Sequence, residues 1–146
     1  MSWFLSVAET LQYIPTPLGR GLRAAFYRLT LAYVGKRAQF HLGSIVTDRR
    51  TRIGAASRIG PGCSVGYAEI GAHVLFAQSV HVLSGRHQHT KGSELKCVHI
   101  GDYCWIGAGA VIMGSVGDGT IVGAGAVVTK DHGAGHTLVG NPARSK

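Results

Sequence analysis

Residues 100–129 read Ile100-Gly-Asp-Tyr-Cys-Trp, Ile106-Gly-Ala-Gly-Ala-Val, Ile112-Met-Gly-Ser, Val116-Gly-Asp-Gly-Thr-Ile, Val122-Gly-Ala-Gly-Ala-Val and Val128-Thr. A branched aliphatic residue recurs every six positions, and Gly usually follows it. A period of six fits neither the 3.6-residue repeat of a helix nor the two-residue alternation of a strand. It fits a chain that makes a short strand, turns and repeats, with the aliphatic side chain pointing inward at each turn. The Gly beside it is expected to permit the tight bend.

Outward from this stretch the period continues with interruptions. Phe40 and Val46 are six apart, and Asp48-Arg-Arg-Thr-Arg52 is a polar insertion. Ile53, Ile59 and Val65 make one complete coil, and Ile70, Phe76 and Val82 make the next after a step of five. Residues 84–99, Ser84-Gly-Arg-His-Gln-His-Thr-Lys-Gly-Ser-Glu-Leu-Lys-Cys-Val-His99, lack the period and read as a loop leaving the coil. The step from Ile112 to Val116 is only four, and nothing in the sequence explains it.

The segment before the repeats is different. A short helix is expected over 2–13 with Ser2 as N-cap, ended by Pro15 and Pro17. A second is expected over about 17–34, with Leu18, Leu22, Phe26 and Leu29 as one apolar stripe, Arg20, Arg23 and Arg28 off it, and Gly35 as its stop. Such a basic amphipathic helix suits a lid over the open end of a solenoid, which otherwise exposes an apolar cross-section and unpaired strand edges. It also suits contact with an anionic membrane surface. The boundary between this cap (1–39) and the repeats (40–146) is set at Phe40.

Composition bounds the function. Gly is 22 of 146 residues, about twice its usual share of roughly 7%. The formal net charge is +8, and nine of the fifteen Lys and Arg lie before residue 59, opposed only by Glu9 and Asp48. The sequence has no helix-turn-helix, zinc-finger or aromatic–basic strand signature, so nucleic acid is not the expected partner. A phosphorylated cosubstrate or an anionic surface fits better. Cys63, Cys97 and Cys104 have no metal-type spacing and read as buried small hydrophobes. With their odd number and no signal peptide, a cytoplasmic protein is expected.

The repeats, joined to the closing phrases Gly123-Ala-Gly-Ala-Val-Val-Thr-Lys-Asp131 and Gly140-Asn-Pro-Ala-Arg144, resemble the hexapeptide-repeat acyltransferases over about residues 40–144. The resemblance implies an all-β solenoid, a left-handed parallel β-helix, here with an N-terminal α-helical cap. It implies a homotrimer, acetyl-CoA as cosubstrate, no metal, and transfer of acetyl to a hydroxyl of a sugar or glycoconjugate. The short basic cap and the lack of a large helical domain make the chain more similar to the acetyltransferases of surface-polysaccharide synthesis than to serine acetyltransferases. Transfer to an amino-sugar nitrogen is a second option within the class.

Acyl transfer from a thioester to a hydroxyl needs a base, donors for the developing oxyanion, and both substrates within reach. Imidazole, with an ordinary pKa near 6.5, is placed to accept the proton. His87 and His89 lie in the loop that interrupts the repeats. Ser84-Gly-Arg-His87 matches, with one residue inserted, the loop position of the catalytic His in sugar acetyltransferases of this kind, so His87 is the expected base and His89 the alternative. His41, His73, His81, His99, His132 and His136 read as surface or corner residues. Glu94 and Glu69 are candidates to orient the base. By the same resemblance, Ala108 and Ala124 match the corners that bond pantetheine. Thr129, Lys130, Asn141 and Arg144 match the positions around the nucleotide phosphates, and Trp105 lines the thioester end or a subunit interface. His132-Gly-Ala-Gly135 stands where these relatives carry Pro, and the carbohydrate-binding Asn and Asp of galactoside and maltose relatives have no counterpart. Two other readings stay open: a γ-carbonic-anhydrase-like zinc enzyme, for which the spacing of His81, His87 and His89 does not match, and a scaffold without chemistry.

Overall fold

A computed structural model describes residues 3–85 and 95–146. Two helices, α1 (Trp3–Gln12) and α2 (Thr16–Thr30), precede a parallel solenoid of about five turns. The first coil is β1 (Tyr33–Val34), β2 (Gln39–Phe40) and β3 (Ile45–Val46). The second is β4 (Arg52–Ile53), β5 (Arg58–Ile59) and β6 (Ser64–Val65). The third is β7 (Ala68–Ile70), β8 (Leu75–Phe76) and β9 (His81–Val82), and the fourth is β10 (Val98–Ile100), β11 (Trp105–Ile106) and β12 (Val111–Ile112). The last full coil has a single bridge at Val116, then β13 (Ile121–Val122) and β14 (Val127–Val128). A final bridge at His132 leads to β15 (Thr137–Val139) and β16 (Arg144–Ser145).

Three sheets form the faces of the prism: β1-β4-β7-β10, β16-β15-β13-β11-β8-β5-β2, and β14-β12-β9-β6-β3. We call them the first, second and third faces. All strands are parallel except β16, which returns antiparallel on β15. This is the left-handed parallel β-helix that the resemblance implies. In each two-residue strand of the coils the second residue points inward, so the core is three stacked columns. One column runs Phe40, Ile59, Phe76, Ile106, Val122 and Leu138, all 2% exposed or less. A fully buried Val or Ile contributes roughly 1.5–3 kcal/mol, so the core is the sum of these repeated rungs.

Two kinds of corner glycine do different work. The Gly after the inward aliphatic is not there for a left-handed bend. A Cβ on Gly54 would lie 2.3 Å from the Gly71 carbonyl carbon, and one on Gly107 would lie 2.5 Å from the Ala124 nitrogen. These glycines let one coil's backbone settle on the next. The bend itself falls two residues later, where Gly62, Gly109 and Gly125 have φ between +68° and +70°. Buried Ser57, Thr120, Cys63 and Cys104 fill corner positions and donate to carbonyls of the next coil, as Cys63 Sγ does to Ala77 O at 3.0 Å and Ser57 Oγ to Gly71 O at 2.7 Å. The buried reading of Cys63 and Cys104 is thereby met, while Cys97 is half-buried.

The cap departs from its sequence expectation in three ways. α2 stops at Thr30, not near Gly35, because Leu31 turns extended and Tyr33–Val34 pair with Arg52–Ile53. The first coil therefore starts at β1, ahead of the expected boundary at 39/40. The buried face of α2 is also not the leucine stripe. It is Gly19, Arg23, Ala24 and Tyr27, whereas Leu18, Leu22 and Leu29 are exposed. Hydrogen bonding decides this orientation. The open edge of the first coil presents backbone groups that need partners. Arg23 Nε donates to Phe40 O at 3.1 Å and its Nη1 to Leu11 O and Ile14 O at 2.9 and 2.8 Å. The Tyr27 hydroxyl accepts from the Val46 N–H at 3.1 Å, and Gln12 O accepts from the Gly43 N–H at 2.8 Å. Phe4 of α1 stacks on Phe26 at 5.4 Å, and Tyr27 packs on Phe40 at 4.7 Å. The lid reading holds, with the polar side chains doing the closing.

The short step from Ile112 to Val116 now has an account. Val116 takes the inward column of the first face, bridged to Ile100 above and His132 below. The next coil makes the same four-residue step, Val128 to His132, so the two contracted corners stack. A Cβ on Gly114 would lie 2.2 Å from Lys130 O. His132 thus occupies a position that an aliphatic residue fills in every coil above, and its buried Nε2 has no hydrogen-bond partner.

Candidate active site

The site elements are laid out by the corners between the second and third faces. Ala108-Gly109 follows β11, and Ala124-Gly125 follows β13 directly beneath it. The Gly125 N–H donates to Ala108 O at 2.8 Å. A Cβ added at Gly109 or Gly125 meets nothing within 4 Å. The two corners therefore form an open backbone ledge that a slender ligand can approach closely. Trp105 is half exposed on the outer side of the second face, in register between Leu75 above and Ile121 below. The structure brings Trp105, Ala108 and Ala124 onto one side of the prism.

A positive cluster lies at the C-terminal end. Thr129 and Lys130 are exposed after β14, and Asn141 and Arg144 are exposed on the turn and strand that close the chain. Their neighbours are His132 and His136, 6.1 Å apart between ring centres. His136 Nδ1 lies 2.9 Å from Ser145 Oγ. The His132 imidazole is held below its ordinary pKa by burial first, then by Lys130 and His136, with Arg144 contributing and Asp131 opposing. The chain of the contracted corners thus adds two imidazoles to the Lys130–Arg144 region. From the sequence both read as surface or corner residues. The signal for His132 was present as the repeated four-residue step after an inward Val.

The first face is polar outside. Tyr33, Arg52, Glu69 and His99 are consecutive outward rungs of one ladder. His99 Nδ1 lies 3.3 Å from a Glu69 carboxylate oxygen, and Arg52 lies over the Tyr33 ring at 5.4 Å. An open cleft of about 540 Å³ runs along this ladder and the Asp102 corner. Glu69, a candidate to orient the base, has His99 as a neighbour. Lys96 pairs with Asp131 at 3.2 Å, anchoring the returning end of the 84–99 segment to a corner two coils down. At the outgoing end, buried Ser84 accepts a hydrogen bond from the Tyr67 N–H at 2.8 Å. His87, His89 and Glu94 lie outside the described residues. Among the described residues no group of three His, Cys, Asp or Glu side chains converges as a metal site would need.

Fold and repeat define the class. Residues 97–130 match the family model described as bacterial transferase hexapeptide (six repeats). The hexapeptide repeat is matched over that stretch, and the chain has the left-handed parallel β-helix fold that its sequence resemblance implied. Among solved structures it is similar to a maltose O-acetyltransferase from Clostridium difficile 630, with 25% identity over 99% of this chain and 83% of that one and a TM-score of 0.84. It is similar to a hexapeptide-repeat-containing acetyltransferase from Vibrio cholerae, solved in complex with acetyl coenzyme A, with 23% identity over 97% and 85% of the two chains and a TM-score of 0.77. Its fold also matches AntD, an N-acyltransferase from Bacillus cereus in complex with dTDP and 3-hydroxybutyryl-CoA, at 16% identity, 84% and 85% coverage and a TM-score of 0.67.

Proposed function

We propose that the protein is an acetyl-CoA-dependent O-acetyltransferase acting on a hydroxyl of a sugar or glycoconjugate, with His87 as general base. The observation that carries the reading is the open backbone ledge at Ala108-Gly109 and Ala124-Gly125, beside the half-exposed Trp105, with Lys130 and Arg144 exposed towards the C-terminal end of the prism. A pantetheine arm is slender and bonds backbone amides, which suits corners without side chains. Its nucleotide phosphates are anionic, which suits a lysine point charge and an arginine fork. Thr129 and Asn141 add neutral polar groups at that end.

In this reading the imidazole of His87 takes the acceptor hydroxyl proton as its oxygen bonds to the thioester carbonyl carbon. Corner backbone N–H groups stabilise the resulting oxyanion. The carbon–sulfur bond then breaks, and the imidazolium returns its proton to the departing thiolate. No covalent enzyme intermediate is needed. Ser84 and Val98, described residues on either side of the stretch that holds His87, stand coils above Lys130 and Arg144, a distance that a long thin cosubstrate would span.

The homotrimer belongs to the same proposal. The outer rungs Leu75, Trp105 and Ile121 make a partly exposed apolar ladder beside the ledge, the kind of surface that a neighbouring prism covers. The test is turnover with acetyl-CoA and a panel of sugars and lipid-linked glycans. His87→Ala is expected to lose at least about 100-fold in kcat, the usual scale for a general base, with acetyl-CoA binding retained. Wild-type turnover in that variant would remove His87 from the mechanism.

A further inference from the structure

We propose that the outward face of α2, with Trp3 of α1, docks the protein on an anionic lipid bilayer. The inference is independent of the acyl-transfer reading. It starts from the way the cap is oriented. Gly19, Arg23 and Tyr27 turn inward and close the first coil. Leu18, Leu22 and Leu29, on the opposite side of the same helix, are 68%, 41% and 86% exposed. Positions 18, 22, 25 and 29 share one side of a helix, so Ala25 completes an uninterrupted apolar stripe about three turns long. Ordinary globular helices put such a stripe against the core. Here the core side is taken by the groups that satisfy the solenoid edge, and the stripe is left on the surface.

Trp3 extends it. Trp3 is 59% exposed and meets Phe4 edge-on, Phe4 stacks on Phe26, and the Arg49 guanidinium lies 5.5 Å over the Trp3 ring. An amphipathic indole beside leucines is suited to the bilayer interface.

Charge selects the occupant. Exposed Arg28 flanks the stripe on α2, and Arg49, Lys36 and Arg37 are exposed on the turns near it. Glu9 is the single acid between Trp3 and Thr47. A second copy docked on this face would bring Arg28 and Arg49 towards the same cations of its partner, a repulsive arrangement. Anionic headgroups instead complement every one of these cations, each adding to attraction near a charged surface, while the leucines and Trp3 enter the acyl boundary.

The experiment uses the full chain with vesicles of phosphatidylcholine alone or with about 30% phosphatidylglycerol. Co-sedimentation is expected with the anionic vesicles, weakening with salt, and at least several-fold less with neutral ones. Leu22→Gln with Leu29→Gln, and separately Arg28→Ser with Lys36→Ser, are expected to lower vesicle binding at least five-fold. Both pairs are exposed, so melting temperature and turnover on a soluble acceptor should stay as in the wild type. Equal binding by wild type and leucine variant overturns the proposal, as does no binding to anionic vesicles. A drop in solution mass on light scattering in the leucine variant also overturns it, because the face would then join copies of this chain.

Discussion

Arg23→Met tests the account of the cap most directly. Arg23 is 2% exposed and makes three charge-assisted hydrogen bonds to carbonyls of Phe40, Leu11 and Ile14. Methionine keeps most of the apolar stem and removes every donor. Leu11 O keeps a second partner, the Ile14 N–H at 3.3 Å. The oxygens of Phe40 and Ile14 lose the guanidinium. An orphaned buried acceptor costs about 1–3 kcal/mol, so the two together cost about 3 kcal/mol after the methionine packs. For a chain of this size that is a fall in melting temperature of roughly 6–12 °C. Circular dichroism during thermal and urea unfolding measures it, with Arg28→Met as the exposed control, expected within about 0.5 kcal/mol of wild type. A loss below about 1 kcal/mol in Arg23→Met would refute the claim that this side chain closes the solenoid edge.

His132→Leu restores an aliphatic residue to its column and removes the partnerless Nε2. It should stabilise the fold by about 1 kcal/mol near neutral pH. Because the folded His132 pKa is held below the ordinary value of about 6.5, the unfolded chain takes up the proton first. Wild-type stability therefore falls as pH drops below about 6.5 until the lower folded value is passed; the variant should show a shallower fall, read by urea titrations between pH 7 and 5. Lys130→Ala and Arg144→Ala should each raise KM for acetyl-CoA several-fold with kcat little changed, and binding calorimetry should show the loss directly; unchanged affinity in both would move the phosphate site elsewhere. Gly107→Ala drives a Cβ to 2.5 Å from the Ala124 nitrogen and should cost about 3 kcal/mol. Gly125→Ala meets open space at φ +68° and should cost only about 1 kcal/mol. Equal penalties in unfolding assays would contradict the two distinct glycine roles.

The period of six by itself determined the inward columns of a chain of repeated strands and corners, because each rung is local: a strand, a corner and an aliphatic residue within six positions; the resemblance supplied the β-helix. The corners Ala108 and Ala124 came from the resemblance, and their smallness is visible one residue at a time. The cap was a different matter. Hydropathy marks the leucines of α2 as one stripe and Arg23 as off it, and the fold leaves the leucines outside and buries Arg23. The first coil's unpaired backbone can be met only by donors and acceptors that reach it, and no periodicity encodes that demand. The same holds for His132, whose column is defined by stacking on Val116, and for the Glu69–His99 pair, which joins coils separated by the 84–99 segment. Local pattern sufficed where energy is repeated rung by rung. Tertiary structure decided wherever a backbone group or an imidazole had to find a partner far along the chain.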